Sequence, residues 1–269
     1  MALTQEEKNK IEDSLHQYVS TGARFTWNSD ELTLAGNLVV LSHSPVLTIY
    51  NEYLVRINGN INVHSLVDTQ DHITVSLPNL RIVDGHIWVS NNGKLITPAL
   101  ESATREIRLT SLESALVAPK LAQAVSLGIY RAKTENIDLS SLKKLKHLYI
   151  HNCKGEFLKE LKQIDGTTSF SGDSYVTLPG LEYASSILAR DTCTVMLPEL
   201  ISVDTLFISI SVRDDATVLA PKLKKLSGTD HNITLFNNST LILPVDFSSK
   251  NKIEILSTNA KVFYLERDQ

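Results

Sequence analysis

Hydrophobic positions along the chain fall into short alternating pairs, apolar–x–apolar, that return about every twenty residues: Ile87 and Val89, Ile107 and Leu109, Leu127 and Ile129, Leu148 and Ile150, Leu206 and Ile208, Ile233 and Leu235. Alternation of this kind predicts short β-strands, with the paired side chains facing inward and the middle residue facing outward. The segments Thr168-Ser169-Phe170 and Ile187-Leu188-Ala189 are weaker copies.

Ahead of each pair stands a corner. All but one of the eight prolines fall in a shared context: Leu-Pro78-Asn-Leu, Thr-Pro98-Ala-Leu, Ala-Pro119-Lys-Leu, Leu-Pro179-Gly-Leu, Leu-Pro198-Glu-Leu, Ala-Pro221-Lys-Leu and a decayed Leu-Pro244-Val-Asp. Their intervals are 20, 21, 60, 19, 23 and 23. The interval of 60 is three coils, and two proline-free corners, Leu-Ser140-Ser-Leu and Leu-Lys159-Glu-Leu, fill the gap. Proline suits a corner because it fixes φ and donates no hydrogen bond, whereas inside a central strand it breaks the ladder.

The same register extends upstream through Gly36-Asn37-Leu38-Val39-Val40 and Gly59-Asn60-Ile61-Asn62-Val63, which align with Gly85-His86-Ile87-Trp88-Val89. One such unit cannot bury its own apolar face, but stacked coils share a continuous core. The pattern therefore predicts a mainly β, right-handed parallel β-solenoid of about ten coils, either leucine-rich-repeat-like or β-helix-like in cross-section, with an N-terminal capping α-helix.

The helix is read over residues 4–21. Thr4 with Glu7 makes a capping box, Ile11, Leu15, Tyr18 and Val19 form one apolar stripe, and Gly22 ends it. Residues 1–22 are then the capping helix, 23–249 the repeats, and 250–269, with apolar runs Ile253 to Leu256 and Val262 to Leu265, C-terminal capping strands, all in one continuous domain.

Composition adds limits. With 42% hydrophobic and 21% charged residues the chain can build a core, and a net charge of -4 gives no general phosphate-binding surface, so no nucleic-acid partner is expected. No apolar run reaches a membrane span and the first ten residues carry no secretory h-region, so neither a membrane partner nor a cleaved signal is expected. Two cysteines, Cys153 and Cys193, read as buried thiols of a reducing compartment. The chain is expected in the cytoplasm, or exported without a cleaved signal peptide.

The stretch Ser76-Leu-Pro-Asn-Leu-Arg-Ile-Val-Asp-Gly-His-Ile-Trp-Val-Ser-Asn-Asn92 resembles the receptor L-domain type of leucine-rich-repeat relative, in which a leucine-proline corner, a valine, a glycine and a strand ending in asparagines make one coil. The resemblance is clear over one coil and extends in weaker form over residues 36–245. It implies a recognition or structural module and carries no catalytic residues to transfer. Bacterial repeat proteins, including effectors secreted without a cleaved signal, are a looser comparison.

Short motifs with a defined mechanism are missing, and no cofactor is expected. Asp68 with Asp71 and Asp214 with Asp215 read as turn residues rather than catalytic pairs. His43, His64 and His86 are spaced near one coil but stand seven, five and one residues after their glycines, so they share no metal. The outward residue of each strand runs Val39, Asn62, Trp88, Arg108, Gly128, Tyr149, Leu188, Phe207 and Thr234. Aromatics and an arginine on a face that no core requires point to partner binding, so Trp88, Arg108, Tyr130, Tyr149 and Phe207 are the candidate contact residues. The predicted function is a non-enzymatic protein-binding solenoid of adaptor, effector or immunity type. The alternative is a carbohydrate-binding or carbohydrate-cleaving β-helix.

Overall fold

The computed structural model describes residues 2–42, 46–66, 72–204, 208–226, 232–248 and 253–266. It is a parallel β-solenoid of about ten turns with one N-terminal helix. The chain divides into two compact units, residues 1–125 with 135–140, and residues 126–134 with 141–269. Each coil has three strand-bearing sides where the alternating pairs had marked one; in the coils that begin at Ser102, Gln123, Lys144, Gln163 and Tyr183 the first two sides run as one longer strand.

In the first unit, the first side stacks Glu31–Ala35, Leu54–Ile57 and Ile82–Val83, followed by the start of Ser102–Leu109. The second stacks Leu38–Ser42, Ile61–Ser65 and Ile87–Ser90 on the end of Ser102–Leu109. The third stacks Val46–Tyr50, His72–Ser76, Gly93–Ile96, Ala115–Val117 and Ile137–Asp138. All these pairings are parallel. Identical positions therefore sit over one another: Leu38, Ile61, Ile87 and Ile107 form one column, Val40, Val63, Val89 and Leu109 the next, and all eight are fully buried. A side chain of this kind contributes about 1.5–3 kcal/mol when removed from water.

The second unit repeats the plan. Its second side runs from Lys144–His151 through Gln163–Ser171 and Tyr183–Ala189 to Ile208–Val212, Asn232–Leu235 and Ile253–Ile255. The weak copies belong to it, with Thr168 and Phe170 and then Ile187 and Ala189 at core positions. One register differs from the expectation. In Ile208–Val212 the core pair opposite Ile187 and Ala189 is Ile210 with Val212. Leu206 and Phe207 lie outside the described residues.

The corners are β-turns. Leu80, Leu100, Leu121, Leu181, Leu200 and Leu223 each donate a backbone N–H to the carbonyl of the residue before the proline, at 3.0–3.4 Å. Proline stands at the second turn position, where its fixed φ is wanted, and the buried leucine fills the bend. The corner without proline at Lys159 closes the same way, Leu161 N–H to Leu158 carbonyl at 2.9 Å. At Ser140 the side chain of Asp138 accepts the backbone N–H instead.

Gly36, Gly59 and Gly85 are stacked backbone on backbone. A Cβ on Gly59 would strike the Gly36 carbonyl, and one on Gly85 the Gly59 carbonyl. Asn37 and Asn60 complete the turn by accepting the backbone N–H of Asn60 and His86 at 2.9 and 2.8 Å.

The helix is shorter than its apolar stripe. The Thr4–Glu7 capping box is present, but the helix spans Gln5–His16 only. After a turn at Gln17 and Tyr18 the chain pairs with Leu38 and its neighbours through Tyr18, Val19 and Ser20, because the open edge of Leu38–Ser42 offers backbone groups that two β-prone side chains can serve. Leu15 is buried, and the helix rests on the antiparallel strand Arg24–Asn28 through Trp27, whose Nε1–H donates to Glu12 at 2.6 Å.

Candidate functional site

The outward row of the second side is the place where core packing leaves residue choice free. In the first unit Asn62, Trp88 and Arg108 stand on three successive coils in direct register. Parallel pairing sets their Cα atoms roughly 4.8 Å apart. Trp88 is 39% exposed, a large value for tryptophan on a regular sheet, and the His86 ring is tilted against it at 5.4 Å. Arg108 is exposed beside Trp88, and Glu106 on the same strand accepts from its Nη2 at 2.9 Å and its Nε at 3.2 Å. A planar cation held by a carboxylate of its own strand thus stands one coil from an indole.

His64 lies one row over and shares a hydrogen bond with the Ser90 hydroxyl. Two atoms of this surface, Asn62 Oδ1 and His86 Nδ1, are buried without a protein partner. His43 of the proposed histidine series falls outside the described residues, as do Asp68 and Asp71.

In the second unit the candidates are partly engaged. Tyr149 is half-buried and stacks on His147, with ring centres 6.3 Å apart and planes 22° apart. Tyr130 lies across Gly128, since a Cβ there would come within 2.7 Å of its ring. That contact explains why an outward position carries glycine and why Gly128 is buried. Further along, the outward residues Ser211 and Thr234 are each only 4% exposed. Arg213 folds back there, its Nε donating to Ser211 Oγ at 3.2 Å and its guanidinium lying over Phe236 at 4.7 Å. Phe207 lies outside the described residues. Trp88 with Arg108 is therefore the exposed pair among the four candidates that lie in the described residues.

A second periodic feature, besides the proline corners, marks the coils. Asn91, Arg131, Asn152, Gly172, Asp191, Asp214 and Asn237 all have positive φ, between 46° and 69°, at the turn between the second and third sides. The signal was present as an Asn, Asp or Gly, residues that tolerate this conformation, at six of these seven positions, Arg131 being the exception. Asp214 belongs to this turn series, accepting from Asn237 Nδ2 at 2.8 Å and from the Asp191 N–H at 3.3 Å, while Asp215 accepts from Asn238 at 2.8 Å.

The same turn holds a serine, a histidine and an asparagine together. His151 Nδ1 is 3.0 Å from Ser171 Oγ, and its Nε2 is 2.9 Å from Asn152 Nδ2. Asn152 Oδ1 accepts the Asp173 N–H at 2.8 Å, so Nδ2 must be the atom facing the ring. Nε2 is then the acceptor and Nδ1–H donates to the serine, the wrong tautomer for a base acting on that hydroxyl. With Ser171 buried, this cluster holds the turn.

Burial pushes the Cys193 thiol up to about 11 and raises that of Cys153. Among the described residues no three His, Cys, Asp or Glu are gathered as metal ligands, and no helix is long and apolar enough to cross a membrane. No protein-family model, no curated protein and no solved structure matches the chain.

Proposed function

We propose that the chain is a non-enzymatic binding module whose contact surface centres on Trp88 and Arg108, with a protein as the partner. The supporting observation is Trp88, 39% exposed on a rigid parallel sheet with an oriented arginine on the next coil. Tryptophan and arginine dominate the energetics of protein interfaces, and a ladder fixes both without loss of chain entropy on binding. The resemblance of residues 76–92 to receptor L-domain coils supports a recognition role. Adaptor, effector and immunity-type proteins all fit this surface.

The test is a capture experiment comparing the native protein with Trp88→Ala and Arg108→Ala. A stoichiometric protein partner lost on Trp88→Ala, at a melting temperature within a few degrees of the parent's, supports the reading. Retention of every partner by both variants overturns it. Binding to glycans, abolished by the same substitutions, would instead favour a carbohydrate-binding solenoid in which the indole stacks on a sugar ring.

A further inference from the structure

The first unit ends in three sheet edges, and its cap closes two of them. The first side is covered by Arg24–Asn28, paired antiparallel with Glu31–Ala35. The second is covered by residues 18–20: Val39 donates to the Tyr18 carbonyl at 2.7 Å and Ser20 to that of Asn37 at 3.0 Å. The third side ends at Val46–Tyr50, which stands at the margin of its sheet and pairs with His72–Ser76 alone among the described residues.

The direction of the backbone groups follows from the neighbouring strands. Core-facing Leu38 donates to the following coil, at Asn60, whereas outward-facing Val39 donates to the preceding side. In Val46–Tyr50 the core-facing residues are Leu47 and Ile49, in register with buried Ile73 and Val75. Val46, Thr48 and Tyr50 therefore aim their N–H and C=O groups away from the sheet, at the uncovered edge. Their side chains are open as well, with Val46 75% and Tyr50 63% exposed.

Edge strands are ordinarily blunted by shortness, lysine, proline or an inward charge. At the other margin of this sheet stands the two-residue strand Ile137–Asp138, short and carrying a carboxylate. Val-Leu-Thr-Ile-Tyr has five residues and no charge, so nothing in it discourages pairing.

We infer that Val46–Tyr50 is a docking edge that accepts an extended segment of a partner protein as an added strand, completing the third position of the cap layer. The occupant's chemistry is set by the edge. It must be extended, donate and accept main-chain hydrogen bonds opposite Val46, Thr48 and Tyr50, place apolar residues over Leu47 and Ile49, and carry no charge at its centre. Main-chain bonds supply affinity in this mode and alternate side chains supply selectivity. A second copy of the chain fits less well, because its own cap strand and helix would compete for the layer that Arg24–Asn28 and residues 18–20 already fill. The inference rests on the reading of the chain as a binding module but uses a surface separate from Trp88.

Amide hydrogen exchange on the full chain tests it, with an acetylated and amidated peptide repeating residues 72–76, the strand that pairs with the other side of this edge, as probe. In the free protein the Thr48 and Tyr50 amides should exchange at least about tenfold faster than that of Ile49, and millimolar peptide should slow them by about tenfold or more. Thr48→Pro removes an N–H that the neighbouring strand does not use, so it should abolish the slowing while the protein stays folded. Trp88→Ala should leave the slowing intact. Protection of Thr48 and Tyr50 equal to Ile49 in the free protein overturns the inference, as does peptide without effect. Protection that grows with protein concentration alongside a doubled mass assigns the edge to a second copy and also overturns it. Slowing lost in Trp88→Ala but kept in Thr48→Pro places the peptide on the Trp88 face instead.

Discussion

Thr168 occupies a core column between Leu148 and Ile187, fully enclosed, and its hydroxyl has no hydrogen-bond partner. A buried hydroxyl without a partner costs about 1–3 kcal/mol, so Thr168→Val, equal in shape, should raise stability by about 1 kcal/mol in urea unfolding; a loss of similar size would show the hydroxyl bound to an ordered water. His147 is a second residue under tension. Its Nδ1 accepts the Thr167 N–H at 3.1 Å, and burial, with Lys146 beside it, holds its pKa below the ordinary histidine value. A histidine whose folded pKa is depressed contributes stability that is fully present above the unfolded value near 6.5 and is lost as pH falls toward the folded one. The melting temperature should decline between about pH 7 and pH 5, and His147→Asn, which keeps an acceptor but cannot titrate, should flatten that part of the profile.

At the scale of the element, the turns set the register and the strands follow. Gly59 illustrates this, since any Cβ there meets the Gly36 carbonyl. Gly59→Ala should cost about 2–3 kcal/mol in chemical denaturation, against well under 1 kcal/mol if the stacked turns could separate freely. Such turns explain what could be read in advance. Proline corners were legible because proline has one use at that position, and the stacked glycines because they align with the strands that follow. The strands of the other two sides were hidden, since Ile82–Val83 is too short to alternate visibly and Gly93–Ile96 offers only Leu95 as a buried apolar residue. The helix was read too long because Tyr18 and Val19 satisfy both a helical stripe and an edge strand, and only the uncovered backbone of Leu38–Ser42 decides between them. Trp88 and Arg108 were legible as outward residues by alternation alone. That Ser211 is covered while Trp88 is open goes with Arg213 folding back onto it and over Phe236, contacts that no periodicity encodes.

For the molecule as a whole, the pairing is strictly between neighbouring coils within each unit. Val195 stands opposite Val176 on one side and Val218 on the other, and the next strands in the same ladder are Lys154–Glu156 before and Thr240–Pro244 after. Stability in such an array is a sum of coil terms and nearest-neighbour terms, so a defect should be felt locally. Val195→Ala leaves a cavity in a fully buried column and should cost about 2–3 kcal/mol at that coil. Amide exchange should then accelerate most at residues 194–196 and in the two adjoining strands, Tyr175–Thr177 and Thr217–Leu219, and fall away by Lys261–Leu265. Uniform acceleration across every protected amide of the unit would mean that its coils unfold only together, and that the ladder transmits a single defect along its whole length. The distinction bears on binding. A locally responsive ladder allows Trp88 and its neighbours to change without cost to distant coils, which is the property that lets one scaffold carry varied contact surfaces.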